Sequence, residues 1–145
     1  MIRISVQLGD FDAGAELAAI QDGDAGAVAS FTGIVRGAGG LVSMHLEHYP
    51  GMTEAVLNDL AQTAQGRWPI SAVSIIHRVG SLCPGDQIVF VGTASAHRQA
   101  ALESCAFLID KLKTQAPFWK KELFTDGRAS WVEARESDTT ASTRW

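Results

Sequence analysis

All four lysines of this chain, Lys111, Lys113, Lys120 and Lys121, fall between positions 111 and 121. A cluster of this kind suits an anion, whether a phosphate or a developing oxyanion, and a lysine in a packed cationic setting can also move a proton. The stretch from His97 to Thr114 reads as a helix stopped before Pro117. On its wheel, at about 100° per residue, the apolar stripe runs through Leu102, Cys105, Ile109 and Leu112. Lys113 and Arg98 fall inside that stripe and Lys111 falls opposite it. A charge on a packed face must meet a partner or a polar cavity. Lys113 and Arg98 are therefore site candidates and Lys111 a surface lysine. The competing reading is that Lys113 and Arg98 snorkel into water from the helix ends.

Two further segments carry positive charge to places where a ligand could sit. Ser95-Ala96-His97-Arg98 opens the same helix directly after a strand. Free backbone N–H groups and the positive end of the helix dipole favour an anion there. Phe31-Thr32-Gly33-Ile34-Val35-Arg36 reads as a strand that delivers Arg36 to the edge of Gly37-Ala38-Gly39-Gly40, a run with almost no side-chain mass. An arginine beside a mobile loop suits a ligand that must enter and be covered. Each pattern alone is weak, since a basic helix start or an exposed arginine is common.

Other candidates carry less. His45 and His48 are three apart on an expected strand, so they face opposite sides and cannot chelate one metal. His77 sits in an apolar strand and reads as structural. Cys105 reads as core, and Cys83, before a Pro-Gly turn, has no basic neighbour in sequence to activate it. No phosphate loop, dinucleotide fingerprint or nucleophile elbow is present. No metal and no cofactor is expected.

The elements that must position these residues are short and interspersed. Strands are expected over residues 2–8, 25–36, 43–49, 70–79, 87–94, 118–124 and 130–134, and helices over 13–22, 52–68 and 97–114. Turns such as Pro84-Gly85-Asp86 and Thr125-Asp126-Gly127 join neighbouring strands and favour antiparallel pairing. The expected class is α+β, a mostly antiparallel sheet with about three packed helices. With 145 residues and 46% hydrophobic content, one domain over residues 1–136 is expected, followed by a polar tail over 137–145.

The formal net charge of -4 argues against a general nucleic-acid binder, so any anion must be held by a local cluster. Met1 to Val6 alternates like a strand, and no apolar run approaches the ~20 residues that span a bilayer. A soluble cytoplasmic protein without membrane contact is the expectation.

Taken together, several segments resemble the MoaE family, the large subunit of molybdopterin synthase. They are Phe31-Thr-Gly-Ile-Val-Arg36, Leu46-Glu-His-Tyr-Pro-Gly-Met52, Ile76-His-Arg-Val-Gly80, Pro84-Gly-Asp86, Ser95-Ala-His-Arg98, Asp110-Lys-Leu-Lys-Thr-Gln-Ala-Pro-Phe-Trp-Lys-Lys-Glu122 and Trp131-Val-Glu-Ala-Arg135. The likeness runs over nearly the whole chain, in order. It departs at Ile34, where the family commonly has lysine, and at Ile109, where methionine is common.

The resemblance implies an α+β subunit that dimerises and holds a small ubiquitin-like partner of the MoaD type, giving a heterotetramer. The partner's thiocarboxylated Gly-Gly terminus would supply sulfur to cyclic pyranopterin monophosphate, producing the molybdopterin dithiolene. Carried over residue by residue, it implies catalytic roles for Lys113 and Lys120. Phe31, Ile34, Val35, Arg36, His97, Arg98, Lys121, Glu122 and Arg135 would join them in holding the substrate. Lys113 is expected to move the proton, with Lys120 as its electrostatic helper. The alternative reading is a non-catalytic module that binds a phosphorylated metabolite with the same cationic cluster; a hydrolase acting through His97 is weaker, for want of an acidic neighbour.

Overall fold

A computed structural model describes residues 1–132 and 136–145. Its elements are β1 (Ile2–Gln7), α1 (Ala13–Ile20), β2 (Ala27–Ile34), β3 (Leu41–His48), α2 (Met52–Arg67), β4 (Ile70–Arg78), β5 (Gly80–Leu82), β6 (Gln87–Ser95), α3 (Arg98–Gln115), β7 (Phe118–Phe124), β8 (Ala129–Val132) and α4 (Glu136–Ser142). The strands form two four-stranded sheets among the described residues, ordered β1-β4-β6-β2 and β5-β3-β7-β8.

The first sheet is built on β4 and β6, whose residues are buried almost without interruption. Such strands need cover on both faces. Helix α1 and the residue just before its cap pack Leu17, Ile20 and Phe11 against Ile76, Phe90, Ala72 and Ala94 on one side. Helices α2 and α3 supply Leu57, Ala61, Ala64, Phe107, Leu108 and Leu112 on the other, against Val73, Ile75, Val89 and Val91. The second sheet is antiparallel throughout. The α+β class expected from the short strand-turn-strand segments is therefore what the chain adopts. One pairing departs from it: β1 runs parallel to β4, with Ile4 opposite Ile75.

Three features were not legible in the sequence. Strand β5 is only three residues long, too short for alternation to register. The polar tail expected at 137–145 instead begins as α4 and ends with Trp145 packed on Trp68 and Phe107. Its side-chain composition is polar, but the Trp145 indole packs it against the core.

The third is the rotation of α3. Its buried face comprises Ala101, Ser104, Cys105, Leu108 and Leu112, flanked by Ala100 and Phe107. Leu102, placed in the apolar stripe by the wheel, is 61% exposed. Small residues explain the turn. Ala101, Ser104 and Cys105 let the helix lie close to the sheet, so Thr93 donates to the Ala101 carbonyl at 2.7 Å. A stripe counted on large side chains alone overlooks that face. Arg98 is consequently exposed, and Lys111 is half-buried, not the free surface lysine expected.

Two glycines are needed at β2, Gly26 just before the strand and Gly33 within it. A Cβ at Gly26 would collide with the Ala96 carbonyl, and one at Gly33 would lie 2.7 Å from the Val89 side chain and 3.4 Å from the Phe31 ring. Both mark close approach between neighbouring segments.

Candidate active site

Two contacts set the direction of α3 over the first sheet. Ala101 meets Thr93, and the Cys105 sulfur lies 3.8 Å from the Val91 carbonyl. Advancing along the helix therefore means retreating along β6. The last turn of α3, with Lys113, ends over the Gln87 end of that strand. Register brings Ile34, opposite Gln87, and His77, opposite Val89, to the same end. There Val35 donates its N–H to the Asp86 carbonyl at 2.9 Å and accepts from Gly85 at 2.8 Å. The Pro84-Gly85-Asp86 turn thus fixes the strand end from which exposed Arg36 projects. The glycine run beyond it is tied rather than loose, since Thr125 donates to Gly40 at 3.0 Å and Leu41 to Ala38 at 3.3 Å.

The second sheet delivers Lys120. Strand β7 alternates, with Phe118, Lys120, Glu122 and Phe124 half-buried and Trp119, Lys121 and Leu123 exposed. Lys120 lies opposite buried Leu46, and Phe118 opposite His48. The Phe118 ring stacks on His77, with centroids 3.7 Å apart and planes 17° from parallel. His48 in turn lies 3.7 Å from Glu54, which also accepts from the Gly51 N–H at the start of α2.

The charges at this end act on one another. Burial, and then the nearby charge of Lys113, lower the Lys120 ammonium to about 8, while Asp138 and Glu122 pull the other way. Burial pushes His77 down to about 3 against its hydrogen bond to the Arg78 carbonyl, and Lys120, Lys113 and His48 add to the fall. A lysine that gives up its proton near pH 8, beside a second lysine, can exchange a proton and hold an oxyanion in one place.

The comparisons with known proteins fit this arrangement. Residues 6–115 match the family described as MoaE protein. The chain is 50% identical to the molybdopterin synthase catalytic subunit of Vibrio cholerae serotype O1, covering 99% of this chain and 97% of that one. It is 52% identical to the molybdopterin synthase catalytic subunit of Mesorhizobium japonicum, over 98% and 92%. The solved molybdopterin biosynthesis MoaE protein from Burkholderia ambifaria MC40-6 superposes with a TM-score of 0.87 at 50% identity, over 100% and 98% of the two chains. The chain belongs to the MoaE family.

Of the residues singled out in this MoaE chain, Lys113, Lys120, Glu122, Ile34 and Arg36 come to one end of the fold. Phe31 and Ile34 are exposed on β2. Val35 is only 2% exposed, with its backbone N–H and C=O both engaged, so it positions Arg36 and offers no side chain to a ligand. Lys121 faces the opposite side of β7, where its ammonium lies 5.7 Å from the centre of the Trp131 ring. His97 and Arg98 lie at the far end of α3, about 22 Å from Lys113 at ~1.5 Å per residue. The helix start there has no side-chain cap, which leaves first-turn N–H groups open to an anion. Arg135 lies outside the described residues.

Sequence reading missed His77, His48 and Asp138. The only local signal for His77 is a titratable side chain inside the buried run from Ala72 to His77. For the other two no local pattern points to this end of the fold: the second sheet brings His48 opposite Phe118 and close enough to act on His77, and α4 brings Asp138 near Lys120.

Proposed function

We infer that this chain is the large, catalytic subunit of molybdopterin synthase. It transfers two sulfurs from the thiocarboxylated C-terminus of a small ubiquitin-like subunit to cyclic pyranopterin monophosphate, forming the molybdopterin dithiolene. The observation that carries the reading is a half-buried Lys120 beside Lys113, in a chain related over nearly its whole length to named catalytic subunits. Those names leave the binding-module reading without support.

The chemistry asks for cations that hold the phosphate and the oxyanions formed as sulfur attacks, and for a group that moves protons. We assign the proton to Lys120, since burial brings its ionisation close to working pH. This exchanges the roles first expected of the two lysines. Lys113 then serves as the fixed cation, with Arg36 at the mouth and Glu122 beside Lys120. His97 and Arg98 contribute from a second copy of the chain, whose helix start reaches the site across a two-fold axis. Arg135 is assigned to the same anion seat on the family resemblance. The assembly is a homodimer holding two small subunits, and it works in the cytoplasm. No helix among the described residues is long and apolar enough to cross a membrane.

A single-turnover assay tests the reading. Purified chain, thiocarboxylated small subunit and cyclic precursor are mixed and the dithiolene is followed. Product is expected; tight binding of the precursor without conversion would overturn the assignment.

A further inference from the structure

Strand β1 forms one edge of the first sheet, beside β4. Met1 and Gln7 turn their carbonyls toward β4, accepting from Val73 and Val79 at 2.9 Å. Backbone groups alternate in direction along a strand, so Ile2, Ile4 and Val6 turn theirs to the free edge. Side chains alternate as well. Ile2, Ile4 and Val6 pack toward the core under α2 and α3, which leaves Arg3, Ser5 and Gln7 on the α1 face. Strand β4 sets Ser74 opposite Arg3 and Ile76 opposite Ser5 on that same face. With Glu16 of α1, these residues line an open, mainly polar pocket of about 440 Å³, and Ile2 and Ile4 extend it to the strand edge. That volume suits a ligand of metabolite size.

The floor of the pocket holds a group without a partner. Ser74 is fully buried beside Val73, Ile75 and Ile76, and among the described residues its Oγ makes no hydrogen bond. An alanine would fill that place without desolvating a hydroxyl. At the rim, Arg3 and Glu16 meet at 3.5 Å as charges, with no hydrogen bond between them. Ser5 donates to Gln7 at 2.6 Å and keeps its own lone pairs for an incoming donor.

These open groups describe a ligand. A simple anion would be drawn to Arg3 and repelled by Glu16, and a simple cation the reverse. A molecule carrying both charges meets two attractions, provided that they sit as close together as Arg3 and Glu16 do. An α-amino acid meets that condition, because one carbon bears both its ammonium and its carboxylate. We propose that this pocket binds a free α-amino acid with a polar side chain. Its carboxylate lies on Arg3 and its ammonium on Glu16, and its side chain reaches the Ser74 hydroxyl. The pocket is on the opposite face of the sheet from α3, so it stands or falls independently of the function inferred above.

The test uses the full chain labelled with 15N. Each common amino acid is titrated to about 10 mM, a range that covers the modest affinity of a small ligand. At least one is expected to move the backbone amide signals of β1 and Ser74 saturably. Its N-acetyl amide, which lacks both charges, should leave them in place, as should acetate and methylammonium given singly. Arg3→Gln is expected to weaken binding roughly tenfold or more, since it removes a charge-assisted pair. Ser74→Ala should weaken it about threefold or more through one lost hydrogen bond, while the free variant still folds because the hydroxyl it loses was unsatisfied. No saturable shift with any amino acid would overturn the proposal. Acetate that binds as tightly as the amino acid would make the pocket a plain anion seat and also overturn it. An unchanged Kd in Ser74→Ala would do the same, since the buried hydroxyl would then have no part in the site.

Discussion

Trp145 donates its indole N–H to Asp110 at 2.7 Å, and Arg144 reaches the same carboxylate oxygen at 2.6 Å. The last residues of the chain are thereby fastened to α3, the helix that carries Lys113. Thr114 adds a bond to Ser142 at 3.0 Å, and Arg67 donates to the Trp145 carbonyl at 3.0 Å. The indole also meets Trp68 and Phe107 edge-on, at 5.7 and 5.9 Å. Trp145→Ala is expected to cost about 2–4 kcal/mol in urea unfolding, in the range of large aromatic truncations. Asp110→Asn, which keeps an acceptor, should cost less. A loss in Trp145→Ala within the error of the measurement would mean that the segment rests on the surface without holding it.

Lys113 and Lys111 should behave differently when truncated. The charge of Lys113 acts on both Lys120 and His77. Lys111 is among the causes of neither shift. Lys113→Ala is expected to slow single-turnover sulfur transfer by roughly a hundredfold or more, as loss of an oxyanion-stabilising group does. Lys111→Ala should stay within about threefold. Equal losses would show that the chain was folded differently around this helix end.

How far the sequence carried these assignments depends on what had to be seen. The helix boundaries of α2 and α3 were legible because long periodic segments announce themselves and Pro69 and Pro117 follow them closely. The rotation of α3 was not, because Ala101 and Ser104 pack as closely as leucine yet carry little hydrophobic weight. The lysine cluster was visible as composition. The face each lysine takes was not, since Lys120 and Lys121 differ only through the pleat of β7. His77 needed the stack on Phe118, a contact across 41 residues of chain that no local pattern encodes.

The rate of sulfur transfer should bend near pH 8. The folded-state value of Lys120 lies below the ordinary 10.5, so its free-base fraction grows as pH rises through about 8. If Lys120 takes up a proton in the slow step, the single-turnover rate climbs to that point and levels off. Lys120→Arg keeps the cation and cannot titrate there, so the bend should vanish along with most of the rate. A bend that persists in this variant would assign the ionisation to another group.

Mild acid should destabilise the fold through His77. Its folded-state value, about 3, is depressed below the ordinary 6.5. The stability it contributes is present above pH 6.5 and is lost as pH falls from there toward 3, because only the unfolded chain takes up the proton. Thermal melting should therefore decline already between pH 6.5 and 5, above the range in which most carboxylates protonate. His77→Gln is expected to flatten that upper part of the curve. An unchanged slope in the variant would place the acid-sensitive group elsewhere.

The remaining prediction concerns two copies of the chain. His97 and Arg98 begin α3, and Lys113 stands in its last turn. A helix advances ~1.5 Å per residue, which separates Arg98 from Lys113 by about 22 Å. A pterin phosphate cannot touch both ends of one such helix. The family resemblance nevertheless assigns both ends to one site, and the exposed, uncapped start of α3 suits an anion. A two-fold dimer resolves the conflict by placing the helix start of one protomer beside the lysines of its partner. Each dimer then has two composite sites. Lys113→Ala spoils one component and Arg98→Ala the other, so each variant alone should be inactive. In a mixed dimer one site takes both defects and the other takes neither. With free exchange and equal amounts, half of the dimers are mixed and about a quarter of all sites are intact. Single-turnover product should rise to that fraction after the two proteins are mixed. If mass spectrometry shows exchanged dimers and no product forms, the sites are not shared.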